Sequence, residues 1–77
     1  MVDVLFFAEL REVVGKEKIT VEAEGLTVEE LKTKWLASYQ LENIDQAMIA
    51  VNEEYAEENT ILADGDVVAF IPPVSGG

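Results

Sequence analysis

The sequence predicts an α+β fold in which a mixed sheet is covered on one face by one main helix. Five segments have the pattern of strands, whereas only residues 27–39 have the length and apolar spacing of a full helix. The first and last strands are the most hydrophobic, so we place them side by side and parallel in the middle of the sheet. The 77 residues suffice for one small domain, and we assign residues 1–77 to it.

The first strand is predicted at residues 2–7, where one charged residue interrupts an apolar run. Successive side chains of a strand point to opposite faces. Asp3, Leu5 and Phe7 therefore share one face, and the charge of Asp3 marks that face as the outer one. We expect Phe7 to be exposed or to face a partner.

A short helix and a second strand follow. Residues 8–14 have the pattern of a short helix with Leu10 pointing inward, and Gly15 stands where a glycine often ends a helix. Residues 16–23 alternate between apolar and polar side chains, as a half-buried strand does. This strand is joined to the first by the short helix or by a hairpin-like turn.

The main helix is predicted to begin at a capping box. Thr27 and Glu30 have the spacing at which each side chain bonds to the backbone of the other residue. The helix is expected to continue to about residue 39. We expect Trp35 to lie in the core, because the apolar stripe of the helix contains Val28, Leu31 and Trp35 and closes on Leu36 and Tyr39.

The second half of the chain is predicted to hold the remaining three strands, separated by turns. In chain order, the predicted segments are a connector at residues 41–46, a strand at 47–52, a tight turn at 52–54, a short return strand starting at Tyr55, a single helical turn at 56–60, a core anchor at Ile61 and Leu62, a turn at 64–66 and a final strand at Val67–Ile71.

Alternation in the final strand predicts an apolar surface. Val68 and Phe70 are expected to face the helix, whereas Val67, Ala69 and Ile71 face away from it. Phe7, Tyr55 and Ile71 would then form an apolar patch that no helix covers. An exposed patch of this kind is typical of a protein interface.

The charge of the chain restricts its partners. The formal charge is -11, from 16 acidic and 5 basic residues, and no base occurs between Trp35 and Gly77. Phosphate groups would be repelled, so we expect neither nucleic acid nor an anionic membrane as a partner. A basic protein would be attracted to the acidic half. Acidity also keeps a small domain in solution, and the charge alone does not decide between these interpretations.

The residue types that most catalysis requires are missing. The chain has no histidine and no cysteine, which excludes a serine or cysteine triad and the common zinc sites. The acids lack the spacing of a metal site and the glycines form no phosphate loop, so we expect no metal and no cofactor. The chain is therefore expected to be acted upon by other proteins rather than to be an enzyme by itself. Its lack of cysteine, of a long apolar run and of a basic leader predicts a cytoplasmic location.

The C-terminal residues 72–77 are predicted to form an extended, flexible tail. Two prolines at its start end the last strand, because proline has no N–H for the sheet. Ser75 is small, and Gly76 and Gly77 have no side chain, so a narrow channel would admit them up to the terminal carboxylate. We take this carboxylate as the candidate reactive group. A frayed, inert terminus is the alternative.

Several segments together resemble the small subunit of molybdopterin synthase, the MoaD-type sulfur carrier. The ending DGDVVAFIPPVSGG is the most specific of them, and the resemblance covers the whole chain. The segments that carry it are residues 4–8, residues 10–12 with Gly15, Thr27-Val28 with Leu31, Val51-Asn52, and residues 64–77.

The resemblance implies a β-grasp, ubiquitin-like fold and a carrier cycle at Gly77. An adenylating enzyme related to ubiquitin-activating enzymes would join the Gly77 carboxylate to AMP, and a sulfur donor would displace AMP to leave a thiocarboxylate. The carrier would then give its sulfur to cyclic pyranopterin monophosphate in the active site of the large synthase subunit. Two large and two small subunits form a heterotetramer in this family.

The resemblance also implies which side chains contact partners. These are Phe7, Tyr55 and Ile71, with Arg11 as a further contact to a partner carboxylate. Arg11 equally fits the solvent-exposed surface of a helix. Three other functions remain open: the sulfur carrier of thiamin synthesis, a ubiquitin-like modifier joined to lysines of other proteins, and an interaction module with an inert tail.

Overall fold

The structure, a computed structural model, describes residues 1–39 and 44–72. Within these ranges, five strands form one sheet, with two α-helices packed on one side of it. The strands are β1 (Val2–Phe6), β2 (Lys18–Val21), β3 (Met48–Val51), β4 (Glu54–Tyr55) and β5 (Val67–Ile71), and the α-helices are α1 (Ala8–Val14) and α2 (Val28–Leu31).

The strand order across the sheet is β2-β1-β5-β3-β4. β1 and β5 pair in parallel, with Val4 opposite Val68 and Phe6 opposite Phe70. The other three pairings, β1 with β2, β3 with β5 and β3 with β4, are antiparallel. The predicted mixed sheet, with the first and last strands side by side, is therefore confirmed.

The main helix begins at the predicted capping box. The Glu30 amide donates to the Thr27 hydroxyl at 3.1 Å, and the Thr27 amide donates to the Glu30 carboxylate at 3.0 Å. After α2, the helical path continues through a π-helical turn, Lys32–Leu36, and a 3-10 turn, Ala37–Tyr39. Of the predicted connector at residues 41–46, only Ile44–Gln46 is described, and it forms a short 3-10 helix.

Trp35 does not lie in the core, as 40% of it is exposed. The prediction assumed α-helical spacing throughout, but this residue lies in the π-helical turn, whose hydrogen bonds span five residues instead of four. Leu36 follows the buried Leu31 by five positions and packs inward in place of Trp35. The extra residue in the turn rotates the indole toward solvent, and the prediction was wrong for that reason.

The predicted helical turn at residues 56–60 is also wrong, because this segment has no helical structure. It runs along the start of α2 instead. The Val28 amide donates to the Thr60 carbonyl at 3.1 Å, and the Glu29 amide donates to the Glu58 carbonyl at 3.0 Å. The first amides of a helix lack partners within the helix, and this segment supplies them. In place of a helical turn it makes a tight turn, in which the Thr60 amide donates to the Glu57 carbonyl at 3.1 Å.

The core lies between the inner face of the sheet and the helices. Phe6 and Phe70 are both buried at its centre, with their ring centroids 6.4 Å apart. Leu62 is buried, as predicted, whereas Ile61 is 69% exposed and is held by an isolated bridge to Thr27. The other buried apolar residues are Val2, Val4, Leu10, Val21, Ala23, Val28, Leu31, Leu36, Ile49 and Val68. In the part of the chain that the structure describes, no helix is long and apolar enough to cross a bilayer.

We expect Phe70→Ala to lower the free energy of unfolding by about 3–5 kcal/mol, because it deletes a fully buried ring and leaves a cavity. Ile61→Ala is the matched control, since it shortens an exposed apolar side chain and should change stability by less than about 0.5 kcal/mol. Urea denaturation followed by circular dichroism measures both variants. An equally small effect for the two would contradict the placement of Phe70 in the core.

Candidate functional site

The outer face of the sheet forms a groove. Leu5 on β1, Ala69 on β5, Ala50 on β3 and Tyr55 on β4 are successive partners across four strands. The two small alanines lie in the middle of this row, and the larger leucine and tyrosine stand at its ends. A row that is low in the middle and high at both ends makes the sheet surface concave.

The groove has a volume of about 390 Å³ and is mostly apolar. Among the described residues that line it, Glu53 carries the only charge. Tyr55 is 80% exposed and Phe7 is 43% exposed, so large aromatic surfaces face solvent. The lining residues are Leu5, Phe7, Ala50, Glu53, Tyr55, Val67, Ala69 and Ile71.

The structure brings together the three side chains of the predicted apolar patch. Phe7, Tyr55 and Ile71 all line the groove, although they come from three separate parts of the chain. Arg11 does not reach it. Arg11 lines a smaller depression of about 220 Å³ beside Phe7, and its Nη1 atom lies 3.5 Å from the Glu17 carboxylate.

The predicted reactive end of the chain lies outside the described residues. The structure describes the chain only up to residue 72 at this end, so it neither places nor tests Ser75, Gly76 and Gly77. The chain is described as far as Pro72, which is buried directly after β5. The tail therefore leaves the sheet next to Ile71, at one end of the groove.

Leu5, Val67 and Ala69 were predicted on the outer face but were not assigned to the patch, and Ala50 and Glu53 were not predicted to lie near it. The alternation of β1 and β5 was a sufficient signal for Leu5, Val67 and Ala69, which have the same parity as Phe7 and Ile71. The positions of Ala50 and Glu53 depend on the pairing of β3 with β5, which joins segments that are distant in the sequence. No local pattern in the sequence identifies it.

Phe7 is held at the groove by an unusual backbone turn. It has extended geometry, with φ of -122° and ψ of 153°, and so continues the alternation of β1 on the outer face. Ala8 then has a φ of 52°, a left-handed conformation that non-glycine residues rarely adopt. The chain thus turns sharply into α1 directly after Phe7, and the ring stays beside Leu5.

The opposite wall of the groove is set by the turn between β3 and β4. Its two residues, Asn52 and Glu53, have φ angles of 52° and 70°, as a type I′ hairpin turn requires. Asparagine tolerates this conformation, whereas glycine is the usual second residue. A left-handed glutamate costs roughly 1–2 kcal/mol relative to the right-handed region. The Glu53 side chain that replaces the usual glycine lines the groove.

Asn52 and Asp66 join this turn to the start of β5. The Asn52 side-chain amide donates to the Asp66 carboxylate at 3.0 Å, and its carbonyl accepts from the Val67 amide at 3.0 Å. The Ala63 amide donates to the second Asp66 oxygen at 2.8 Å. The hydrogen bond from the Ala63 amide, and to a smaller extent the one from the Asn52 side chain, stabilise the ionised carboxylate. They hold the pKa of Asp66 below its ordinary value of 3.8.

Comparison with known proteins assigns the chain to a family. The ThiS family model matches residues 4–77, which is nearly the whole chain. The chain belongs to the ThiS family. A curated relative of this ThiS-family chain, the molybdopterin synthase sulfur carrier subunit of Escherichia coli, is 42% identical over 82 residues and covers 100% of both chains. The resemblance predicted from the sequence is confirmed.

Solved structures similar to this ThiS-family chain share its fold. The complex of subunits 1 and 2 of the molybdopterin-converting factor from Helicobacter pylori contains a chain with a TM-score of 0.71 and 31% identity, covering 99% of this chain and 97% of that one. The small archaeal modifier protein 1 of Methanosarcina acetivorans has a TM-score of 0.70 and 27% identity, covering 99% and 95%. The predicted β-grasp, ubiquitin-like fold is confirmed.

We expect Asp66→Asn to make the fold less sensitive to acid. The pKa of Asp66 is lowered in the folded state, so its stabilising effect is present above pH 3.8 and is lost as the pH falls through the folded pKa. Below pH 3.8, the free energy of unfolding of the wild type should therefore fall more steeply than that of the variant. Urea denaturation across this pH range measures both slopes, and equal slopes would contradict the stated role of the carboxylate.

Proposed function

We infer that the chain is the sulfur carrier subunit of molybdopterin synthase and acts in the biosynthesis of the molybdenum cofactor. One observation carries this inference: the match to the Escherichia coli sulfur carrier subunit has 42% identity and leaves no part of either chain uncovered. The terminal glycine pair lies inside the segment that the family model matches. An interaction module with an inert tail would not require that ending.

The chemistry that we propose takes place at the Gly77 carboxylate. A free carboxylate does not react with sulfur nucleophiles, because it offers no good leaving group. Adenylation by an enzyme related to ubiquitin-activating enzymes supplies one: the carboxylate attacks ATP, pyrophosphate leaves, and an acyl adenylate forms. Sulfide supplied by the sulfur donor then attacks the acyl carbon, and the bond to AMP breaks. AMP leaves, a proton is released, and a thiocarboxylate remains on Gly77.

The thiocarboxylate is the form that we propose to act in the synthase. The carrier inserts its tail into the active site of the large subunit and gives its sulfur to cyclic pyranopterin monophosphate. Ser75, Gly76 and Gly77 have little or no side-chain bulk, which suits a chain end that must enter two different active sites. The carrier contributes the sulfur and no catalytic side chain, so the subunit is not an enzyme by itself. A cycle that consumes ATP fits the expected cytoplasmic location.

The groove is the surface that we propose for the large subunit. It is concave, apolar and rimmed by the exposed aromatic side chains of Phe7 and Tyr55, and aromatic residues dominate the binding energy of many interfaces. It also lies beside Pro72, where the tail begins. Docking at the groove would therefore bring the tail to the partner at the same time. The adenylating enzyme is a second partner for the same surface.

The acidic charge of the second half of the chain is consistent with partners whose active sites are basic. The adenylating enzyme binds ATP and the large subunit binds a cyclic phosphate, and phosphate sites are commonly basic. This carrier has no basic residue between Trp35 and Gly77. Attraction between the acidic half of the carrier and a basic active site of the partner would speed association and orient the tail toward that site.

A second candidate function is that of a ubiquitin-like protein modifier. It is favoured by the similarity to small archaeal modifier protein 1, which extends over 99% of this chain. The same activated Gly77 would then be joined to a lysine amine of a target protein instead of to sulfur. The two functions share the adenylation step and differ in the nucleophile that follows.

We expect Gly77 to gain sulfur when the chain is incubated with its adenylating enzyme, ATP and a sulfide source. Intact-mass spectrometry should show the exchange of one oxygen atom for sulfur, and fragmentation should place it on Gly77. A chain that lacks Gly76 and Gly77 is the control and should keep its mass. No shift with an enzyme that releases pyrophosphate would overturn the carrier function, and attachment to lysines of other proteins would favour the modifier.

We expect Phe7→Asp to weaken binding to the large subunit by roughly 30-fold, or about 2 kcal/mol, because it removes an aromatic anchor from the groove. The fold should be retained, since Phe7 is the N-cap residue of α1, where aspartate is a preferred residue. Ile61→Asp is the matched control, as it places the same charge on an exposed apolar site that does not line the groove. Isothermal titration calorimetry measures both, and equal affinities would overturn the proposed docking surface.

A further inference from the structure

We propose that Asn52 is a positioning residue that holds Glu53 and Tyr55 in place on one wall of the groove. This proposal rests on the function inferred above, because it concerns how the groove receives the large subunit. Asn52 does not line the groove itself, whereas Glu53 and Tyr55 do. Its effect on binding would therefore be exerted through these two residues.

The wall that carries Tyr55 has little support of its own. β4 contains two residues, stands at the edge of the sheet and pairs only with β3 among the described strands. Tyr55 is 80% exposed, so burial does not hold it. The position of Tyr55 therefore depends on the short pairing with β3, in which Tyr55 lies opposite Ala50, and on the conformation of the β3–β4 turn that closes this pairing.

The side chain of Asn52 stabilises this turn by completing the ladder between β3 and β5. Val51 pairs with Val68, so the next pair in register is Asn52 with Val67. A bonded antiparallel pair exchanges two backbone hydrogen bonds. Here the Asn52 amide donates to the Val67 carbonyl at 2.8 Å, but the bond from the Val67 amide goes to the Asn52 side-chain carbonyl at 3.0 Å.

The other end of the Asn52 side chain is held by a fixed carboxylate. Its amide nitrogen donates to Asp66, whose second oxygen accepts from the Ala63 amide. The Asp66 carbonyl also accepts from the Asp3 amide at 3.0 Å, which ties this residue to β1. The turn is thus anchored to β5 and, through Asp66, to β1, in addition to its pairing with the edge strand β4.

Backbone strain at Glu53 indicates a purpose beyond stability. A glycine at this position would relieve the left-handed conformation, yet the chain has a glutamate whose side chain lines an otherwise apolar groove. Strain that persists where an easy substitution would remove it points to a function at that site. The carboxylate fits a lysine or arginine of the partner at the groove wall.

A charge-swap experiment tests the positioning role. Asn52→Asp places a second carboxylate against Asp66 and should weaken binding to the large subunit roughly tenfold. In the double variant Asn52→Asp/Asp66→Asn, the introduced carboxylate still accepts from the Val67 amide, and the introduced amide can donate to it while accepting from Ala63. Affinity should return to within about threefold of the wild type.

Two controls separate positioning from a general loss of stability. Thr27→Ala removes the capping box, which is remote from the groove, and should lower stability without changing affinity. Glu53→Gly relieves the strained turn and should raise the unfolding midpoint while weakening binding at least threefold. If the turn contributed only to stability, Glu53→Gly would not lose affinity for the large subunit.

Two measurements test the proposal. Calorimetric titration of the large subunit into each full-length variant gives the affinity, and hydrogen exchange of the Ala56 amide in the free chain reports on local structure. This amide donates to the Ile49 carbonyl at 2.9 Å and reports on the β3–β4 pair. Faster exchange and weaker binding in Asn52→Asp, both reversed in the double variant, support the proposal. Wild-type affinity in Asn52→Asp, or no recovery in the double variant, overturns it. A wild-type chain that fails to bind would instead overturn the proposed function as well.

Discussion

The parallel pairing of β1 with β5 is the constraint on which the rest of the structure depends. It joins the two most hydrophobic segments of the chain, and their inner side chains, including Phe6 and Phe70, form the centre of the core. Because side chains alternate, burial of one face also determines which residues appear on the other. The packing of the core therefore also determines which side chains of β1 and β5 line the outer groove.

This arrangement also explains where the tail leaves the protein. β5 carries the tail and is at the same time the middle strand of the groove floor, through Ala69. A partner that recognises the groove is bound within a few residues of Gly77. A chain this small lacks room for a deep active site, and we account for its function by a division of tasks. In the proposed function, the sheet face identifies the partner and the chain end carries the reactive group.

Most of the fold could be predicted from local sequence patterns, because burial of alternate side chains and helix capping leave regular signals in the sequence. Alternation identified the inner and outer faces of β1 and β5, and the capping box placed the start of α2. Trp35 was misplaced because a π-helical turn adds one residue to the helix without any mark in the sequence. Residues 56–60 were misplaced because their partners are amides of α2, about thirty positions earlier in the chain.

The candidate site could be predicted in part for the same reasons. Phe7 and Ile71 were identified from parity, and the family resemblance implied Tyr55 as a further contact. The floor formed by Ala50 and Ala69 required the register between β3 and β5. The Asn52–Asp66 contact joins residues 14 positions apart that become neighbours only when those strands pair. Arg11 was correctly linked with an exposed helix surface, and its predicted contact with a partner remains a prediction.

The most direct test of the account is a single-turnover reaction between the thiocarboxylated chain, the large subunit and cyclic pyranopterin monophosphate. The account predicts that sulfur lost from Gly77, measured by intact mass, appears in molybdopterin in equal amount, with the carrier returned to its carboxylate form. Molybdopterin formation by the large subunit with sulfide alone, or retention of sulfur on Gly77 in the assembled complex, would contradict the sulfur carrier function.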